Sequence, residues 1–313
     1  SPRREVAVSE AMTESFPRRQ ARTRRFTLGA PRGYTISPDG GRIVFLRSRH
    51  GTDPVTCLWT LDTASGAERL VADPRTLDAA EEDLPPEERA RRERTREQAG
   101  GIVAYATDRE VTAATFALSG ALYVARLGSG EIRRLGTPGP VIDPRLSPNG
   151  RHVAYVTEGS LRVQGLVTGE DKALAVPEGE QVAYGLAEFI AAEELGRLRG
   201  HWWSPDGEAL LVARVDESPV QRWYLADPAD PGRAPTPVAY PAAGTPNADV
   251  SLHILRLDGT RVAVPFDDEY LTTAAWNEHG LFIVTMPRSQ QAVRLWSVDP
   301  ATGATALVRE DTD

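Results

Sequence analysis

Ser37-Pro38-Asp39-Gly40, Ser147-Pro148-Asn149-Gly150 and Ser204-Pro205-Asp206-Gly207 are three copies of one tetrapeptide in a chain of 313 residues. Each is a turn with a mechanism: proline presets φ, the Asp or Asn side chain caps its own backbone, and glycine accepts φ > 0. A short β-rich run follows each copy: Ile43-Val44-Phe45, Val153-Ala154-Tyr155-Val156 and Leu210-Leu211-Val212-Ala213. Weaker copies stand at Leu118-Ser119-Gly120, before Leu122-Tyr123-Val124, and at Asn277-Glu278-His279-Gly280, before Leu281-Phe282-Ile283-Val284. A second piece closes these units. Leu58-Trp59-Thr60-Leu61-Asp62 leads to Ser65-Gly66, and Leu295-Trp296-Ser297-Val298-Asp299 leads to Thr302-Gly303, with degenerate versions from Leu122 to Gly130 and from Leu161 to Gly169. Strand, Ser/Thr-Gly turn, strand is the outer hairpin of a four-stranded blade. Repetition of one supersecondary unit predicts an array of such units. The expected fold class is therefore all-β, a partial β-propeller with five blades visible and two short helical inserts. An unrelated β-sandwich with accidental turn repeats is the competing architecture.

Blade starts at 37, 119, 147, 204 and 277 are 82, 28, 57 and 73 residues apart, and inserts account for two of the longer gaps. Residues 74–100 hold the first. Within it, positions 87–97 follow Pro85-Pro86, stop at Gly100-Gly101, and pair Glu87 with Arg91, Glu88 with Arg92 and Arg89 with Glu93 at helical spacing. That helix has no apolar stripe, so it is expected to stand in solvent or to reach another part of the molecule. Residues 183–199 hold the second insert, with Leu186, Phe189 and Ile190 on a short apolar helical face. Continuing that face calls for apolar residues at 193 and 194. Glu193 and Glu194 stand there instead, so the pair is either exposed beyond the core edge or aimed at something cationic.

Composition excludes several classes. The chain carries 36 basic and 44 acidic side chains, a net charge of −8, which argues against nucleic-acid binding because phosphate neutralisation needs clustered excess base. No run approaches the roughly 18 apolar residues needed to cross a bilayer, and no apolar segment of signal-peptide type follows the first residues. One cysteine, Cys57, makes neither an internal disulfide nor a zinc cluster, so a reduced, cytoplasmic setting is expected. Residues 1–25 carry seven arginines against three glutamates and are expected to form a basic, solvated arm, with the propeller portion occupying 26–313. Lysine occurs once, at Lys172, which is read as codon bias towards arginine rather than as function. No metal-ligand spacing or phosphate-cradling glycine loop is present, so no cofactor and no metal is expected.

Glu188-Phe189-Ile190-Ala191-Ala192-Glu193-Glu194-Leu195, followed after seven residues by Trp203-Ser204-Pro205-Asp206-Gly207, resembles the N-terminal propeller of bacterial dipeptidyl peptidase IV-like proteins in the prolyl oligopeptidase family. Tyr240-Pro241-Ala242-Ala243-Gly244-Thr245-Pro246-Asn247 is similar to that family's Tyr-Pro-Lys/Arg-Ala-Gly-x-x-Asn segment, departing from it at Ala242. Arg91-Arg92-Glu93-Arg94, followed by Gly101-Ile102-Val103-Ala104-Tyr105, is similar to the arginine-bearing segment of the cytosolic and bacterial branch. The resemblance runs from about Phe26 to the end.

The resemblance implies an eight-bladed propeller, of which five blades are visible, and a serine exopeptidase that releases Xaa-Pro or Xaa-Ala dipeptides. It implies that Glu193 and Glu194 bind the substrate's free amine. It points to Arg92, with Arg94 as the alternative register, as the arginine that reaches the substrate's backbone carbonyls, and to Arg49 as a weaker candidate. The implied partners are peptides with a free N-terminus, a C-terminal α/β-hydrolase domain of the same polypeptide, and a second copy of the chain, since relatives dimerise through the hydrolase domain and a propeller extension. No serine here has glycine both two before and two after it, so the Gly-x-Ser-x-Gly nucleophile elbow is absent. The five histidines lie singly in turn or strand contexts and are assigned structural or surface roles. No catalytic residue is therefore placed in this chain, which is expected to gate substrate and recognise its amine. Two rivals remain: a stand-alone propeller that binds proteins, and the propeller of a prolyl endopeptidase or acylaminoacyl-peptidase-like enzyme. The paired glutamates argue against an endopeptidase, which has no ammonium to hold.

Overall fold

The computed structural model describes residues 14–77, 100–232 and 234–312. Its strands form five antiparallel blades in chain order. Blade 1 contains β1 (Arg32–Ile36), β2 (Arg42–Ser48), β3 (Val55–Asp62) and β4 (Glu68–Ala72), with β5 (Gly100–Gly101) added parallel to β3. Blade 2 contains β6 (Ala106–Thr107), β7 (Ala113–Leu118), β8 (Ala121–Arg126) and β9 (Ile132–Leu135). Blade 3 contains β10 (Ile142–Leu146), β11 (His152–Thr157), β12 (Ser160–Gly165) and β13 (Asp171–Ala175).

Blade 4 departs from this plan. Its first strand is broken into β14 (Val182–Tyr184) and β15 (His201–Trp203), both pairing with β16 (Ala209–Asp216). β16 pairs with β19 (Asp249–Arg256), and β19 with β20 (Arg261–Val264). Between β16 and β19 a separate hairpin, β17 (Arg222–Leu225) and β18 (Thr236–Ala239), leaves the blade. Blade 5 contains β21 (Tyr270–Asn277), β22 (Gly280–Met286), β23 (Ala292–Val298) and β24 (Thr305–Thr312).

The Ser-Pro-Asx-Gly turns share one geometry. Ser37 Oγ donates to Asp39 Oδ1 at 2.5 Å, accepts from Arg42 N at 2.9 Å, and Gly40 closes the turn at φ +70°. Ser147 and Ser204 repeat this: each donates to the Asx two residues on, and each accepts from a backbone N–H five residues on. Pro, Asx and Gly shape the turn, and the serine hydroxyl joins it to the following strand. The weak copy at Ser119-Gly120 is different. It links β7 to β8, one hairpin later than its equivalents, and the inner turn of blade 2 is built on Asp108, which accepts from the N–H groups of Thr112 and Ala113 at 2.8 and 2.9 Å.

The core lies between blades, because side chains alternate across each central strand. Val153 and Tyr155 of β11 pack with Leu122 and Ala113 of blade 2, whereas Ala154 and Val156 pack with Leu210 and Val212 of blade 4. Leu211 and Ala213 point the other way, to Leu271 and Ile283 of blade 5. The paired tryptophans divide likewise, Trp203 towards blade 3 and Trp202 towards blade 5. Polar ties reinforce the seams. Arg69, Arg133 and Lys172, on the outer strands of blades 1 to 3, each donate to the carbonyl just after the third strand of the next blade, at Leu127, Leu166 and Leu257. The chain's single lysine thus fills the place of an arginine.

Part of the N-terminal arm is described. Residues Phe16–Arg22 form α1, which buries nothing, and the chain then turns through positive φ at Arg24, Arg25 and Phe26. Most of the described side chains of this stretch are exposed, Thr23 is buried, and the chain meets blade 1 where Gly29 N donates to Ser48 Oγ.

Candidate functional site

The excursion of blade 4 carries the glutamate pair. Residues 185–200 leave the sheet after β14 and return at β15, so they project from the first strand of the blade. Their only regular element is α2, Phe189–Glu193. The helix is a single turn. Leu186 lies before it, so the helix does not carry the full face from Leu186 to Ile190; Glu193 is the last helical residue and Glu194 its C-cap, and both are exposed. No basic residue occupies that last turn. Two carboxylates and the carbonyl end of a helix thus share one end of the excursion, a combination that favours a cation.

What holds α2 is buried beneath it. Glu188 is the N-cap, accepting from Ala191 N at 3.2 Å, and its Oε2 accepts from Arg197 Nη2 at 2.5 Å. These side chains are 4% and 2% exposed. Arg197 also donates from Nη1 to Arg199 O at 2.9 Å and from Nε to Leu271 O at 3.0 Å, crossing into blade 5 at an irregularity in the β21 ladder. Burial pulls the guanidinium below its ordinary range, and Glu188 opposes that. Neither residue was assigned a role from the sequence. Glutamate is outside the usual N-cap residues Ser, Thr, Asp and Asn, so its type does not mark Glu188 as the cap. Nothing in the spacing marks Arg197.

The Tyr-Pro segment reaches the same place. Tyr240 packs edge-on against Phe189 at 5.3 Å and lies 5.1 Å from the ring of Trp223 in β17. Asn247 Nδ2 donates to Tyr270 Oη at 3.0 Å and to Glu269 Oε1 at 2.6 Å. Two of the motifs, separated by some fifty residues, thus dock on the adjacent residues Tyr270 and Leu271. The β17–β18 extension that delivers Tyr240 was missed, although the wide spacing before the last blade and the turn-forming run Asp227-Pro228-Ala229-Asp230-Pro231-Gly232 signal it. Trp223, Tyr224 and Leu225 on it are 47%, 70% and 59% exposed.

Arg92 and Arg94, with the helix expected over 87–97, lie outside the described residues. The flanks of their segment are placed beside β3: Pro74–Thr76 form a 3₁₀ turn capped by Asp73, and Gly100 N donates to Pro54 O at 3.0 Å. Arg49 is in the β2–β3 hairpin of that blade. Its Nη2 lies 2.6 Å from Asp73 Oδ2, an ion pair whose angles fall short of a hydrogen bond, and Arg75 bridges Asp73 to Asp53. Arg49 is thus engaged by a carboxylate of its own blade.

A cavity of about 220 Å³ lies where Tyr105, Asp143, Arg145 and Leu198 approach one another. Asp143, at φ +46°, accepts from Arg145 Nε at 3.0 Å, and the fully buried His201 lies 4.0 Å from it. Burial pushes His201 down to about 4 despite that carboxylate. Among the described residues no group of three or more His, Cys, Asp or Glu side chains is placed to hold a metal ion, and no helix is long and apolar enough to cross a membrane.

Residues 104–313 match the family model described as the dipeptidyl peptidase IV N-terminal region. Dipeptidyl aminopeptidase B of Saccharomyces cerevisiae is 26% identical over 180 residues, covering 53% of this chain and 22% of that protein. Human dipeptidyl peptidase 8 is 24% identical over 194 residues, covering 51% of this chain and 22% of that protein. The chain spans about a fifth of the length of these relatives. The crystal structure of Porphyromonas gingivalis dipeptidyl peptidase 4 superposes with a TM-score of 0.69 at 22% identity, over 90% of this chain and 40% of that one. That likeness establishes the fold, a partial β-propeller.

Proposed function

Because the chain belongs to the family of dipeptidyl peptidase IV N-terminal regions, we propose that it is the substrate-gating and amine-recognising propeller of a serine exopeptidase that releases Xaa-Pro or Xaa-Ala dipeptides. The observation that carries this reading is the placement of Glu193 and Glu194, exposed together at the end of a helix that interrupts the first strand of blade 4. An ammonium presents three N–H donors in a compact cone, and neighbouring carboxylates accept them with charge assistance. A peptide α-amine titrates near roughly 7.7–8.0, so much of it is charged at neutral pH, and two adjacent anions raise that value in the complex. With the amine held, the scissile bond lies two residues further along the chain.

Bond cleavage itself belongs, in this reading, to an α/β-hydrolase domain carried by the same polypeptide, and the setting is cytoplasmic. Arg92, or Arg94 in the alternative register, supplies donors to the substrate's backbone carbonyls, with Arg49 a weaker third. Alanine at each in turn, read as kcat/KM on a dipeptidyl substrate, identifies which one. The exposed aromatic residues of the β17–β18 extension suit a homodimer contact, which sedimentation of Trp223→Ser and Tyr224→Ser variants tests by loss of the dimer.

The reading as a whole is tested by comparing the 313-residue chain with the polypeptide encoded by its complete reading frame. The complete polypeptide is expected to release Xaa-Pro dipeptides and to lose that activity to a serine-directed inhibitor. The chain alone is expected to release none, because positioning without a nucleophile leaves little rate enhancement. Turnover by the chain alone that survives the inhibitor would overturn it.

A further inference from the structure

We infer that Glu188 and Arg197 are positioning residues whose buried ion pair sets where Glu193 and Glu194 stand relative to blade 5. This rests on the amine-binding reading above. A one-turn helix does not hold itself: nucleation is unfavourable and α2 has almost no propagation to offset it. The excursion is instead closed as a loop. Arg197 N donates to Ala191 O at 2.9 Å, and the Arg197 side chain returns to Glu188, the residue that caps the helix start. Glu193 and Glu194 lie inside this closure, two and three residues beyond the buried Ala191.

The guanidinium has a task for each nitrogen. Nη2 meets Glu188, Nη1 meets Arg199 O, and Nε meets Leu271 O. The first two contacts shape the excursion within blade 4, and the third fixes it to β21 in blade 5. A planar, three-way fork constrains direction as well as distance, which the single ammonium of lysine does not. A stability role alone explains the pair poorly. Desolvating two charges offsets most of their attraction, so a neutral pair of similar volume is often as stable. What a neutral pair does not reproduce is the direction of three simultaneous bonds.

The test uses the complete polypeptide and five sets of variants: Glu188→Gln, Arg197→Lys, Arg197→Met, the neutral pair Glu188→Gln with Arg197→Met, and Glu193→Gln with Glu194→Gln. Two quantities are read for each: the thermal midpoint, and the ratio of kcat/KM on a free-amine peptide to that on its N-acetylated form. The neutral pair is expected to recover most of the midpoint lost by Arg197→Met alone, yet to show a ratio at least tenfold below that of the unsubstituted protein, mainly through KM. Glu188→Gln, isosteric and still able to cap α2, strands the buried Arg197 charge and is expected to lower both the ratio and the midpoint. A folded neutral pair with an undiminished ratio overturns the positioning role, and an undiminished ratio in Glu188→Gln does so if the neutral pair does not fold. If Glu193→Gln with Glu194→Gln keeps the full ratio, the amine-binding reading itself fails. If it loses the ratio while Glu188→Gln and Arg197→Lys keep it, only the positioning role fails.

Discussion

The ring of Phe189 meets the ring of Tyr240 edge-on, centroids 5.3 Å apart with the planes inclined at 76°. Phe189 opens the helix that carries the glutamate pair, and Tyr240 ends the extension that leaves blade 4 between its second and third strands. One contact therefore joins two excursions that are far apart in sequence. An aromatic pair of this geometry contributes about 0.5–1.5 kcal/mol beyond the area it buries. Tyr240→Ala is expected to cost about 1 kcal/mol in urea unfolding and to speed hydrogen exchange at the Ala192 and Glu194 amides, which bond to Glu188 O and Ile190 O. Unchanged exchange at those amides would mean that the helix stands without the extension.

Removing one partner of a buried ion pair leaves an uncompensated charge, a loss of about 3–5 kcal/mol. Arg197→Met is expected to lose that much in equilibrium unfolding. Adding Glu188→Gln to it should return a large part, because the stranded carboxylate is then neutral. Additive losses in the double variant would show that the two side chains act independently, contrary to their 2.5 Å contact.

Acid should weaken the fold through histidine. An unfolded histidine titrates near 6.5, whereas burial, opposed by Asp143 and helped by Arg145 and Arg199, pushes His201 down to about 4. On acidification the unfolded chain takes up this proton first. The stability contributed by neutral His201 is therefore complete above pH 6.5 and drains as pH falls towards 4. His253, pushed to about 4 by burial and by Arg261, acts in the same window. Asp143 is held below the usual carboxylate range, so its own contribution starts to fall below about pH 5 and adds to the slope only at the acid end. The unfolding free energy is expected to fall by up to roughly 3 kcal/mol for the fully buried His201 and by less for the half-buried His253, and His201→Gln should flatten the fall. A pH-independent midpoint between 6.5 and 4 would contradict the buried neutral state.

Much of the architecture was legible because it is local. The Ser-Pro-Asx-Gly turns and the Ser/Thr-Gly hairpins are written in consecutive residues, and each reports a strand on either side. Blade 2 was misphased because its inner turn, closed by Asp108, shares no residue pattern with the others, while Ser119-Gly120 mimics one. The glutamate pair stands out as a break in a short apolar pattern, but the helix there is a single turn, held by Glu188 and Arg197 rather than by an apolar stripe. Arg197 was out of reach for a physical reason. Its partners are the Leu271 and Arg199 carbonyls and a carboxylate nine residues back, and bonds to backbone carbonyls leave no trace in residue identity.

The central claim is that Glu193 and Glu194 hold a substrate ammonium, and the most direct measurement is kcat/KM of Glu193→Gln and Glu194→Gln in the complete polypeptide, on a dipeptidyl substrate and on its N-acetylated form. Losing one member of a desolvated charge pair costs on the order of 2–5 kcal/mol, so each variant is expected to lose roughly thirtyfold or more on the free-amine peptide. The unsubstituted protein is expected to reject the acetylated peptide. Full activity in both variants, or equal cleavage of both peptides by the unsubstituted protein, would contradict the claim.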